Sequence, residues 1–209
     1  MHRATGPARH PGYPWGMPRI PRIGFVLIVV AVLAAACGGA PAPSFDPTGA
    51  CSADGRAPGA YPDLEALVPK QYQDVAPGTL DSGRNCTTTN LGSLASFGIR
   101  EVRFAGGTWS FGAERAAVLA VFQAIGLNAD AMAAFYAQSA QDASRTTVVG
   151  TSAPIIAGRQ GRRLDTQTGE RVQTVVVWPA AVPGRVDVVI TNDLPDARIQ
   201  DAIEAFGGS

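Results

Sequence analysis

The feature that most constrains this chain is an apolar run that is too short to cross a membrane and that ends at a cysteine. From Ile23 to Ala36 every residue is apolar or Gly, 14 positions in all, against the roughly 20 that a helix needs to span a bilayer. Arg19 and Arg22 precede the run, and the small residues Ala34, Ala35 and Ala36 close it. A cationic flank, an apolar segment and a small-residue cut site make up a cleavable export signal, so residues 1–36 are expected to be a signal peptide. The stretch "MHRATGPARHPGYPWG" has no periodicity that would let it fold. Starting at Met17 gives "MPRIPRIGFVLIVVAVLAAAC", a signal of ordinary length. Translation is therefore expected to begin at Met17, the alternative being an extended n-region.

With Cys37 directly after the small residues, the site resembles the lipobox of bacterial lipoproteins. The resemblance implies a diacylglycerol, with acyl chains such as palmitate, on the Cys37 thiol, and a mature chain that starts there. The family pattern places Leu or a similar residue three positions before the cysteine, whereas this chain has Ala34 there and Leu33 one step earlier. The next stretch, "GGAPAPSFDPTGA", has almost nothing to bury and reads as a tether, so residues 37–50 form the lipidated cysteine and a flexible spacer. A flexible-chain estimate puts Cys51 about 20 Å from the anchor. The expected location is the extracytoplasmic side of a cell membrane, held by the lipid.

Cys51 and Cys86 remain. In an exported chain two thiols in an oxidising compartment most simply form one disulfide. Closing that loop contributes about 3.5 to 4 kcal/mol in the chain-entropy model. The loop is turn-rich, with one short apolar helix candidate around Leu64 to Val68, and needs such a staple. The competing reading, a metal-ligand pair, lacks the histidines of a four-ligand zinc site.

Histidine is informative by where it falls. His2 and His10 both lie upstream of the expected cut. The mature chain is thus expected to lack Ser-His-Asp and Cys-His catalysis, histidine metal sites and a histidine pH switch. Lys70 is the lone lysine and no Ser-x-x-Lys spacing leads to it. Removing the signal takes four arginines and no acid, leaving 13 basic against 17 acidic residues and a charge of about −4. Nucleic acid is an unfavourable partner for such a chain.

Residues 51–209 fit a single domain. Thr89 to Gly98 is expected to form a short helix with Leu91 and Leu94 on one face. In "REVRFAGGTWSFG", Gly106-Gly107 reads as a hairpin turn pairing Phe104 with Trp109 and Val102 with Phe111. "AERAAVLAVFQAIGL" places Val118, Val121, Phe122 and Ile125 at helical spacing, with Gly126 as stop. Asn128 is expected to cap a second helix carrying Met132, Phe135 and Tyr136 on its inner side. From Thr146 the pattern turns to strands: "TTVVGT", two strands about a turn at Gln167 to Gly169, the turn "AAVPG", and "RVDVVIT". A last helix has Asp193 as N-cap and Ile199, Ile203 and Phe206 as its buried face. The expected fold is α+β, an antiparallel sheet built from a hairpin and a C-terminal meander with helices packed on one face. This order, a meander and then an amphipathic C-terminal helix, resembles the secreted lipoproteins of PsbP/Mog1-like fold over Thr146 to Phe206. It is similar also to uncharacterised α+β lipoproteins of high-GC bacteria.

The candidate binding group is "GRQGRR", where Arg159, Arg162 and Arg163 offer forks for a phosphate or carboxylate. Alternation puts Arg162 with Leu164 on one face and Arg163 on the other. The acids of "NDLPDARIQDAIE" lack EF-hand spacing and are expected to cap and solvate a helix. "NCT" at Asn85 matches a glycosylation sequon by chance, and no Walker or dinucleotide motif is present. No metal, cofactor or catalytic residue is expected. The sequence reads best as a non-enzymatic, partner- or ligand-binding lipoprotein domain at the cell envelope, engaging the membrane through Cys37 and an envelope protein or small ligand through the domain. The alternatives are a carrier of lipid or another apolar ligand, which needs a cavity, and a hydrolase using two of Glu101, Glu114, Asp165 and Asp187.

Overall fold

A computed structural model describes residues 45–208. The signal, Cys37 and residues up to Ser44 lie outside the described residues, as does Ser209, but Phe45 to Ala50, expected as part of the flexible spacer, are instead fastened to the domain, with Phe45 packed on its core and three of their carbonyls held by Arg84. The elements run β1 (Gly55–Ala57), α1 (Pro62–Glu65), β2 (Thr79–Asn85), α2 (Thr88–Leu91), a 3-10 turn (Gly92–Phe97), β3 (Val102–Ser110), β4 (Ala116–Gln123), α3 (Ala129–Asp142), β5 (Thr146–Ser152), β6 (Ile155–Ile156), β7 (Arg159–Gln160), β8 (Arg162–Thr168), β9 (Arg171–Pro179), β10 (Arg185–Asn192) and α4 (Asp196–Ala205), with a final 3-10 turn from Phe206. Eight strands make one antiparallel sheet in the order β1-β2-β3-β4-β10-β9-β8-β5, and β6 pairs with β7 as a separate ribbon. The α+β class and the meander β8-β9-β10 agree with the sequence pattern.

The helices pack on both faces of the sheet, not on one. Strand alternation in β9 sends Val176 and Trp178 to one side and Val175 and Val177 to the other. On the first side α1 and α4 cover Leu119, Val121, Val176 and Val189 with Leu64, Ile199 and Ala202. On the second side α3 and the 3-10 turn cover Val175, Val177, Val186 and Val188 with Ala131, Met132 and Leu94. A strand covered on both faces loses its alternation and becomes a continuous apolar run.

That explains the largest departure from the sequence reading. "AAVLAVFQ" is β4, a central strand between β3 and β10, and not a helix. The helical spacing of Val118, Val121 and Phe122 arose because almost every position is apolar, and Ile125 falls in the loop beyond the strand. Gly106 and Gly107 are likewise inside β3, which runs unbroken from Val102 to Ser110. Phe104 therefore faces Phe122, and Trp109 faces Ala117. The true turn is five residues further on, where Phe111 N–H bonds the Arg115 carbonyl at 2.9 Å.

Elsewhere local chemistry agrees with the structure. The Asn128 side chain accepts from Ala131 N–H at 2.9 Å and caps α3. Gly98, with φ of +79°, ends the 3-10 turn in the left-handed region that a side chain would disfavour. Leu91 and Leu94 are buried as expected. Asp193, however, does not cap α4. Its carboxylate accepts from Val172 N–H at 2.8 Å, closing the end of β9, and the helix starts after Pro195 without a side-chain cap.

Candidate functional site

The most organised polar region is where the described chain begins. Residues Phe45 to Asp54 form a strap laid against the end of β2, and two charged side chains hold it. Arg84, 3% exposed, lies on β2 one residue before its end. Its Nη1 donates to the Gly49 carbonyl at 2.7 Å, and its Nη2 donates to the Asp46 and Ala50 carbonyls at 2.9 and 3.0 Å. The guanidinium also sits 5.8 Å from the Phe45 ring centroid. Its Nε, buried, has no hydrogen-bond partner among the described residues.

Asp54 is the counterpart on the strap. Its carboxylate accepts from Cys86 N–H at 2.5 Å, Thr87 N–H at 2.9 Å and Asn90 Nδ2 at 2.6 Å, and from the Thr87 hydroxyl. Burial alone would raise its pKa, but these donors outweigh that and hold it below the ordinary carboxylate value. The Cys51–Cys86 disulfide closes the same corner, with the Cα atoms 6.0 Å apart. A recess of about 240 Å³ opens between strap and sheet, lined by Phe45, Gly49, Ala50 and Arg84 among others. Because Arg84 spends both of its Nη groups on strap carbonyls, this recess offers an anion little free charge. It is chemistry for fastening a segment.

Charged residues flanking the two cysteines were the available sign of this clamp, and the sequence reading missed Arg84 and Asp54. It also missed β1 and β2, reading the loop between the cysteines as turns and one helix. Glu65, on α1, serves the same region: it accepts from Gly59 N–H and from Ser82 Oγ at 2.7 Å each, and Ser82 Oγ accepts from Tyr61 N–H.

The three candidate arginines are dispersed as alternation required. Arg162 pairs with Asp130 on α3 at 2.7 Å, on the face of the sheet that Leu164 also uses. Arg163 points to the other face and bridges Asp165 at 3.0 Å and Asp196 of α4 at 2.8 Å. Arg159 is exposed on the β6-β7 ribbon. Two of the forks are thus already occupied by carboxylates, on opposite sides of the sheet.

The candidate carboxylates are also spread out. Glu101 and Glu114 lie beyond opposite ends of the nine-residue β3, about 30 Å apart at strand rise. Glu101 pairs with Arg103, and Glu114 with Arg171. Asp165 is level with Thr174 and Asp187 with Trp178, four residues apart along β9, or about 13 Å.

Asp187 has a raised pKa. It is half-buried between Val121 and Trp178 on the α4 face and forms no hydrogen bond among the described residues. Burial pushes its pKa up to about 6, against a smaller opposing pull from Arg185 and Arg159. Among the described residues no group of three or more His, Cys, Asp or Glu side chains is placed to hold a metal ion. No helix among them is long and apolar enough to cross a membrane. No protein-family model matches the chain, and comparison with curated proteins returns no match.

Proposed function

We propose that this protein is a lipid-anchored extracytoplasmic lipoprotein whose domain binds a partner or ligand at the cell envelope without catalysing a reaction. The observation that carries the reading is the run from Ile23 to Ala36, of export-signal length, with Cys37 directly after the small residues and a Gly, Ala and Pro tether behind it. Three features of the domain support it. Its disulfide fits an oxidising compartment. Arg162, Arg163, Glu101, Glu114 and Asp165 are engaged in ion pairs. The space between the sheet and each helical layer is filled by buried aliphatic side chains, which favours surface recognition over an enclosed apolar ligand.

The test is the intact mass of the full chain recovered from a bacterial membrane fraction. A chain beginning at Cys37 and carrying a diacylglycerol-sized increment is expected, and a Cys37→Ala chain should lose both the increment and the membrane association. A membrane-recovered wild-type chain without that increment would sink the proposal.

A further inference from the structure

The sheet has two ends, and the strap sits at one of them. β2 finishes at Asn85 opposite Val102, the first residue of β3. The registers then carry the same end across the sheet: Arg103 opposite Gln123, Gln123 opposite Arg185, Val186 opposite Pro179, Val177 opposite Arg162, and Arg163 opposite Ser152. Arg84 fixes the strap here, so Phe45, the first described residue, lies near this end. Only seven residues lie between Cys37 and Phe45, and the eight steps across them reach at most about 28 Å when fully extended. A membrane holding Cys37 therefore lies within about 28 Å of this end.

Ile125, 97% exposed, and Ile155, 70% exposed, are the two most exposed large apolar side chains among the described residues, and both lie at this end. Ile125 is in the loop that follows β4, and Ile155 is on the ribbon between β5 and β8. Val182, 46% exposed, is in the β9-β10 turn, which Ala124 N–H joins to the Ile125 loop through the Gly184 carbonyl at 2.9 Å. Two exposed arginines belong to the same end, Arg100 just ahead of β3 and Arg159 beside Ile155, and neither forms an ion pair among the described residues. Aliphatic tips flanked by unpaired guanidiniums match the interfacial zone of an anionic bilayer, where apolar groups enter the headgroup boundary and cations meet lipid phosphates.

We infer that this end of the domain is a membrane-docking surface: Ile125, Ile155 and Val182 enter the interface of an anionic lipid leaflet while Arg100 and Arg159 pair with its phosphates. The lipid on Cys37 and this surface then act as two signals on one membrane, holding the domain flat on the leaflet instead of swinging from its tether. The two acyl chains of the diacylglycerol hold the chain on the membrane, and the high effective concentration they give lets a second, weak contact fix the domain's orientation there. This inference rests on the lipid-anchored reading above.

The test uses the full chain, processed and lipid-modified in a bacterial host and reconstituted in vesicles of phosphatidylcholine and phosphatidylglycerol with or without brominated acyl chains. Ile125→Trp and Ile155→Trp serve as two independent reporters, and Glu170→Trp, in the turn at the far end of the sheet, serves as control. Trp109 and Trp178 are buried and give a common background.

An indole seated about 5 to 10 Å into the interface should lose roughly half its added emission to bromine and shift to the blue, while the Glu170→Trp signal stays unchanged. If the mass shows lipid on Cys37 but neither reporter is quenched, the docking surface is overturned and the anchor stands, leaving this end to a protein partner. If the chain carries no lipid on Cys37, the anchored reading fails and this inference falls with it.

Discussion

Arg84 and Asp187 are both charged side chains drawn away from water, and they differ in what meets them. Arg84 has three carbonyl acceptors and an aromatic face, so its charge is compensated and the strap is ordered in return. Asp187 has two arginines nearby but no hydrogen bond, so burial dominates and its pKa rises to about 6. A carboxyl whose folded-state value is raised binds more protons when folded than when unfolded. Its contribution to stability is complete below the unfolded value near 4 and is lost as pH rises through about 6. Asp187→Asn should therefore stabilise the domain at pH 7 by about 2 kcal/mol and leave it little changed at pH 4. Urea-unfolding midpoints of both proteins across that range check this, and parallel curves would refute it.

At the scale of elements, sequence periodicity succeeded where one face of an element is wet and failed where both are covered. α3 was legible because Asn128 caps it and its inner positions alternate with polar ones. β8, β9 and β10 were legible because their turns carry Gly, Pro and acidic residues. β4 was not, since a strand packed between two helical layers has no polar positions to show its period of two. Gly106 and Gly107 misled for a related reason: their want of side chains serves packing within β3, where a Cβ on Gly107 would press on the Trp109 ring at 2.8 Å.

Gly83 of β2 makes a closer demand still. A Cβ there would lie 2.3 Å from the Gly55 carbonyl oxygen and 2.6 Å from the Arg56 Cβ, so β1 would have to move. Gly83→Ala should cost about 2 kcal/mol and speed amide hydrogen exchange selectively over residues 45–57. Unchanged protection there would mean that β1 does not depend on this approach.

For the molecule as a whole, the same corner joins the disulfide, the strap and the first described residue. The Cys51–Cys86 link, 35 residues apart, adds a covalent long-range constraint on an N-terminal region where the helices are short and β1 has three residues. A Cys51→Ala, Cys86→Ala double variant should lose about 3 to 4 kcal/mol of unfolding free energy. Denaturant unfolding measures it, and an unaltered midpoint would show that Arg84 and Asp54 hold the strap unaided.

The sequence by itself determined the features that depend on neighbours along the chain. These are two cysteines placed to close one loop, the cap on α3, and the strands of the C-terminal meander. The tertiary structure alone decided that the sheet is covered on both faces, that an apparent helix is a central strand, that β10 inserts beside β4, and that a buried arginine fastens the strap. The physical reason is one of range. Caps, turns and alternation are settled by contacts a few residues apart, whereas burial of a second face and pairing of distant strands exist only once the whole sheet has formed.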